Sequence, residues 1–365
     1  MLACSAPTSP ASSVRYQVCA ARWPDTSSTD ESAGRMGQGG NRVSSFVQYI
    51  HGQALALDTG ARAGLIRRRL VRKSVQAIHS FDRDPDVEYV IGGRALALPF
   101  SHELPAIWIR YPDYSFNLAR IAAACESKYP DASMIDVGAN VGDSAAIVRT
   151  QSQLPILCVE GDAQYLRLLE VNARHLDHVE IAPYYVGPES GQVSMRVVSE
   201  RGTAHLERVA EGTHSITMRT LQEIVADSSP FSGARLLKID TDGYEVKIIR
   251  GSADFLESAR PCLFFEYDPR FFALQGDDGL TLFPFLAQLG YLDVMVWDNI
   301  GMFLLSTGTS DLQLLTQLND YYARRPTAYM DIACFHSDDH DLFEEVLARE
   351  TEHLRAMLLP SGSGS

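Results

Sequence analysis

This 365-residue chain has no apolar run approaching the roughly 18 residues that cross a bilayer. It also shows no apolar core of a secretory leader near its start, so the expected location is the cytoplasm, with no integral membrane span. It has no C-x-x-C pair. Its six cysteines, Cys4, Cys19, Cys125, Cys158, Cys262 and Cys334, are scattered, which reads as buried free thiols in a reducing compartment rather than a disulfide frame or a zinc site. Basic charge is scarce: 46 Asp and Glu stand against 32 Lys and Arg, a net charge of −14. A nucleic-acid surface wants a basic footprint, so no nucleic-acid partner is expected. The dinucleotide fingerprint G-x-G-x-x-G is also missing from the one turn that could carry it.

That turn is Asp136-Val-Gly138-Ala139-Asn140-Val-Gly142, between the apolar pair Met134-Ile135 and Asp143-Ser-Ala-Ala-Ile-Val148. It reads as a buried strand, a glycine-rich turn and a helix. Glycine lets a ligand press against the backbone, and the free N–H groups of a helix start face whatever sits above them. This is a nucleotide-type cofactor site at the carboxyl end of a parallel strand. An acid before the first glycine repels a pyrophosphate but suits a sulfonium or ammonium, directly or through water. S-adenosylmethionine is therefore favoured over NAD.

Three further strands end in acids. Leu154 to Glu160 is an apolar run closing on a carboxylate 24 residues after Asp136, near the spacing at which an acid receives ribose hydroxyls. Leu236-Leu-Lys-Ile-Asp240-Thr-Asp242-Gly-Tyr-Glu245 and Pro261-Cys-Leu-Phe-Phe-Glu266 repeat the pattern. Asp136, Glu160, Asp240 and Glu266 are thus expected along one rim of an open α/β sheet, the edge where such sheets bind ligands.

These stretches carry a resemblance. IDVGANVGD at 135–143, VEGD at 159–162, LLEVNA at 168–173, TLQEI at 220–224, LKIDTDGYE at 237–245 and FFEYDP at 264–269 resemble the FkbM-type S-adenosylmethionine-dependent methyltransferases, as do LGYLDVMVWDN and MDIACFH further on. The likeness covers about residues 90 to 337. It implies a Rossmann-like, mostly parallel, doubly wound sheet with an antiparallel late strand. It also implies S-adenosylmethionine as methyl donor and, usually, O-methylation of a hydroxyl on a polyketide, peptide, sugar or glycan. Two positions depart from the pattern: Asp242 stands where the family more often has Glu, and Gly161 follows the second-strand acid where Pro is frequent.

The assignments follow. Gly138, Ala139, Asn140 and Gly142 line the methionine and ribose side, Asp136 reaches the amino group, Glu160 takes the ribose hydroxyls, and Gly161 and Asp162 lie near the adenine edge. Methyl transfer is an in-line displacement that needs alignment and a base for a hydroxyl acceptor. Asp240 and Glu266 are the catalytic candidates, as a base or, with Asp242, around a divalent cation; the reading without metal is preferred. His102 and His214 are alternative bases, and Tyr111 or Tyr114 could stack on adenine or acceptor. Lys238 is expected on the opposite sheet face. Two other functions stay open: a non-catalytic protein of the same fold, and a nicotinamide-dependent oxidoreductase.

The organisation expected is a disordered leader at 1–42, with Met36 as an alternative start, then an N-terminal helical segment and lead-in strands at 43–120. The methyltransferase domain spans 121–338, and a closing helix and flexible tail 339–365. The core strands are expected at 133–138, 154–160, 179–186, 235–240 and 262–267. A hairpin lies within 192–219, a helix interrupted at Gly251 follows the fourth strand, and the late strands start at Tyr291, Met302 and Tyr329. Residues 187–214, 267–280 and 298–328 are read as substrate loops. The helix around 65–75 carries a basic face of Arg67, Arg68, Arg69, Arg72 and Lys73, expected to be a solvated flank. Nothing in the sequence fixes the acceptor or the oligomeric state.

Overall fold

The computed structural model describes residues 45–60, 64–81, 84–200, 203–208 and 215–358. The expected leader at 1–42, Met36, His214 and the tail from 359 lie outside the described residues. Eight strands form the main sheet: β1 (Met134–Val137), β2 (Ile156–Val159), β3 (Val179–Ala182), β4 (Leu236–Ile239), β5 (Cys262–Tyr267), β6 (Tyr291–Asp298), β7 (Phe303–Gly308) and β8 (Met330–His336). Their order is β3-β2-β1-β4-β5-β8-β6-β7. The first five are parallel neighbours. β8 runs antiparallel between β5 and β6, and β7 is antiparallel to β6. This is the Rossmann-like α/β sheet with antiparallel late strands that the sequence leads one to expect.

The strands are apolar on both faces because helices cover both. Successive residues alternate sides. Met134, Ile156, Leu236 and Phe264 join one core with Leu118, Ala146 and Phe343, while Ile135, Leu157, Leu237 and Phe265 join the other with Ile224, Ile249 and Phe283. Cys125, Cys158, Cys262 and Cys334 are buried free thiols.

Ahead of the sheet come α1 (Ser45–Asp58), α2 (Leu65–Phe81), a hairpin of Asp86–Ile91 with Arg94–Pro99, α3 (Leu104–Arg110) and α4 (Phe116–Lys128). The expected N-terminal helical segment is therefore two helices, parted at Thr59-Gly60 where glycine adopts φ +98°. α4 is tied to the closing helix His340–Leu358 by Arg120, whose Nη2 donates to Glu350 Oε2 at 2.8 Å, and Trp297 Nε1 donates to the same oxygen at 2.9 Å.

Three expectations need correcting. The third strand stops at Ala182, because Pro183 has no N–H for the ladder; Tyr185–Val186 pairs instead with Ile216–Arg219 in a small separate sheet. Two segments read as substrate loops contain helices, Pro269–Leu274 and Leu312–Ala323. Each begins at an aspartate whose side chain accepts from a first-turn N–H, Asp268 from Arg270 and Asp311 from Leu314. Such a cap, with proline at the first helical position, was a visible helix start at 268–269. The expected break of the helix after β4 is present: Glu245–Gly251 and Ala253–Ala259 are separate helices.

Candidate active site

The chain order reverses between β1 and β4, and the turns after these strands face each other across the switch point. Gly138 follows β1 with φ +79°, and a Cβ there would lie 1.8 Å from the carbonyl oxygen of Asp240. No other residue lets these two backbones approach so closely. After the turn comes α5 (Asp143–Val148). After β2 comes Glu160, then α6 (Ala163–Asn172), capped by Asp162, whose carboxylate accepts from Gln164 N and Tyr165 N.

Glu160 binds the turns together. Its Oε2 accepts from Asn140 N at 2.8 Å and its Oε1 from Asp162 N at 2.7 Å. Burial raises its pKa to about 7, against the opposing pull of those N–H groups. A cleft opens here, lined by Gly138, Asn140, Glu160, Gly161, Asp162 and Asp240, with Asp242 and four tyrosines, Tyr165, Tyr184, Tyr185 and Tyr244. The ring of Tyr185 lies against Gly161, where an added Cβ would sit 2.4 Å from it.

A second cleft of about 440 Å³ adjoins the first and shares Gly138, Asn140, Asp240 and Asp242 with it. Its other walls include His102, Tyr114, Asp143, Lys238, Glu266, Arg270 and Tyr329. Tyr114 and Tyr329 meet hydroxyl to hydroxyl at 3.4 Å. Asp331 stands beside Glu266 in the ladder between β5 and β8 and accepts from Asn117 Nδ2 at 3.2 Å. Burial, then repulsion from Asp240, Asp242, Glu245 and Asp331, pushes Glu266 well above the usual carboxylate range. Burial likewise raises Asp331 to about 7 and Asp143 to about 6. The side chain of Asp240 is 42 % exposed and open to an incoming molecule, whereas Glu266 is buried.

The structure brings Glu160, Asp240 and Glu266 to one rim, as expected. Asp136 is not on it. The ladder pairs Asp136 with Lys238, so Gly138, not Asp136, is level with Asp240. Asp136 is fully buried one pleat beneath, its Oδ1 3.0 Å from Lys238 Nζ. Lys238 in turn lies 3.2 Å from Asp240 Oδ2. It shares the face of Asp240 because residues two apart on a strand always do, which corrects the opposite-face expectation. Burial depresses the Lys238 pKa, but Asp136, Asp240 and Asp143 more than reverse this, and it is held well above its ordinary value. Ala139 and Gly142 support the turn from behind and line neither cleft.

Of the alternative bases, His102 lines the second cleft, but burial lowers its pKa to about 4, and its Nδ1 accepts from Leu104 N at 3.2 Å. Tyr114 reaches that cleft; Tyr111 lines neither. Among the described residues no group of three His, Cys, Asp or Glu side chains is spaced to hold a metal ion. The Glu245 carboxylate closes the loop after β4, accepting from Thr241 N, Thr241 Oγ1 and Gly243 N at 2.6, 2.8 and 3.0 Å.

The sequence reading does not include Asp331, Tyr184 or Tyr185. Asp331 carries no strand-end signal, because an antiparallel strand brings its first residues, not its last, to that rim. Tyr184 and Tyr185 stand just past the end of β3, so the strand-end rule would have found them had aromatics been counted with acids.

No helix among the described residues is long and apolar enough to cross a membrane. No curated protein matches the chain. Solved structures similar to it include methyltransferase FkbM from Methylobacillus flagellatus KT, 17% identical over 45% of this chain and 40% of that one, TM-score 0.33. The match thus spans less than half of that protein's length. Precorrin-6y C5,15-methyltransferase from Geobacter metallireducens GS-15 is 14% identical over 60% and 87%, TM-score 0.33. Plantazolicin methyltransferase BpumL in complex with SAH is 8% identical over 80% and 97%, TM-score 0.31. The family model that matches covers residues 136–292, from Asp136 through β1, Glu160, Asp240 and Glu266 to the start of β6. Residues 136–292 thus match the model of the methyltransferase FkbM domain.

Proposed function

We propose that the chain is an S-adenosylmethionine-dependent methyltransferase acting on a hydroxyl of a small natural product, peptide or sugar. The observation that carries the donor assignment is Glu160. Each of its oxygens accepts one backbone N–H, and a carboxylate has about four acceptor sites, so each keeps capacity for a ribose hydroxyl. Gly138, Asn140 and Asp240 shape the wall beside it, and Tyr184 and Tyr185 give flat apolar faces for an adenine. The acid row favours a cationic donor over a pyrophosphate. Asp136 supports the site indirectly in this reading: it neutralises Lys238, which steadies Asp240.

The bound donor supplies an electrophilic methyl group. The residues of the second cleft prepare the acceptor. Asp240, the more open acid, faces the shared wall and takes the hydroxyl proton directly or passes it to Glu266. Both are close enough to the buried acids that the group shares few protons among many carboxylates. Tyr114 and Tyr329 orient the acceptor by hydrogen bonding, and the surrounding α3 and the 326–329 segment exclude water. The test is a thermal-shift comparison of S-adenosylmethionine, its demethylated product and NAD. Stabilisation by both sulfur ligands and not by NAD is expected; stabilisation by NAD alone, or by none, overturns the assignment.

A further inference from the structure

A third cavity, of about 730 Å³, lies between α1, α2 and α3. It shares His102, Glu103 and Ile107 with the acceptor cleft, so the two adjoin along α3. Its floor is apolar: Phe100, with the edges of His51 and His79 at 5.1 and 5.5 Å, and Val75 and Ile107 beside it. Its rim is basic. Arg68, Arg72 and Arg110 line it, and among the described residues none of the three has a carboxylate within 4.0 Å. Asp58 and Glu103 are the acids on the wall. Against the chain's net charge of −14, three arginines around an apolar trough form a local basic patch.

The geometry points to an extended acceptor site for an anionic amphiphile. Its hydroxyl end would enter beside Asp240, its apolar body would lie over Phe100 and Ile107, and its carboxylate or phosphate end would meet Arg68 and Arg72. This rests on the proposed methyltransferase reading and adds the acceptor class to it. Arginine suits both headgroups, because its planar fork matches carboxylate and phosphate alike. The apolar trough accounts for the middle of the molecule, since burial of chain methylenes is favourable without direction. Leu65, Ile66 and Leu70 of α2 are exposed and line no part of this trough.

The experiment uses the full chain with sodium decanoate, decyl phosphate and decanol as probes, read by calorimetry. Both anions are expected to bind, with decanol weaker by roughly tenfold or more, the worth of a charge-assisted contact. Preference between the anions identifies the headgroup. In an Arg68→Ala/Arg72→Ala variant the anions should fall to the level of decanol, with S-adenosylmethionine affinity unchanged. Equal binding of decanol and decanoate, or unchanged anion affinity in the variant, overturns the inference. So does binding confined to phosphatidylserine vesicles and lost in Leu65→Ser/Leu70→Ser, which would make α2 a membrane contact. Loss of S-adenosylmethionine binding by the unaltered protein would instead strike the underlying methyltransferase reading, which this series separates.

Discussion

On the Glu160 side of the cleft, the turns that hold the carboxylate come from one short stretch of chain. Gly138, Asn140, Glu160 and Asp162 lie within one strand–helix–strand unit, and the backbone N–H groups of Asn140 and Asp162 donate to the Glu160 carboxylate. On the Glu266 side, the walls come from residues as far apart as Tyr114, Asp143, Lys238, Glu266 and Tyr329, and the interactions around them, Tyr114 with Tyr329, Asn117 with Asp331 and Lys238 with Asp136, are between side chains. The first region is a rigid cradle whose carboxylate is held by donors. The second is a crowd of acids held close against their repulsion, with Lys238 as the compensating charge. Binding geometry is set in the one and proton affinity in the other.

The sharpest way to break that contrast is Gly138→Ala. The added Cβ has no room beside the Asp240 carbonyl, so the switch point must open. We expect destabilisation of about 3 kcal/mol or more, seen as a fall in Tm and loss of S-adenosylmethionine binding together. Unchanged melting would remove the claim that the cradle is rigid.

The second region should separate rate from binding. Asp240→Asn and Glu266→Gln are expected to lower methyl transfer by about 10²–10⁴-fold, the usual worth of proton transfer, while donor affinity measured by calorimetry stays within a few-fold. Asp240→Asn should be the more severe, because Glu266 is buried behind it. Equal loss of donor affinity would merge the two regions into one.

Glu160→Ala should do the reverse. It leaves the Asn140 and Asp162 N–H groups without their partner and removes the ribose contact, each worth about 1–3 kcal/mol. Donor affinity should fall at least about 100-fold, with a smaller loss of Tm. Unchanged affinity would end the ribose assignment.

A milder test is pH. The folded-state pKa of Glu160 is raised to about 7 from 4.5, and Glu266 and Asp331 are raised in the same direction. Between the unfolded and folded values the folded chain holds more protons, so these groups favour the fold fully below about pH 4.5 and progressively less as pH rises towards 7. The ligand-free protein should therefore melt higher at pH 5 than at pH 8, and Glu266→Gln should narrow the difference. Donor affinity should run the other way, rising through pH 7 as Glu160 ionises, and Glu160→Gln should flatten that profile.

The smallest effect is expected at Asp242, which sits at φ 52°. Asp tolerates that left-handed backbone better than a longer side chain does. Asp242→Glu should cost under about 1 kcal/mol in stability and change the transfer rate by less than tenfold. A larger effect would give this position a direct role in the contrast.

The sequence by itself determined the sheet, its switch point and the Glu160 side of the site. Those depend on local signals: apolar runs, a glycine turn, an acid at a strand end. Tertiary structure alone decided that Asp136 lies beneath the rim, since the level of a residue follows from the register of neighbouring strands and not from its own strand. It alone brought Asp331 in on an antiparallel strand and made Lys238 the bridge between Asp136 and Asp240. The raised proton affinity of Glu266 is likewise a tertiary property, because it comes from burial beside acids that are distant along the chain.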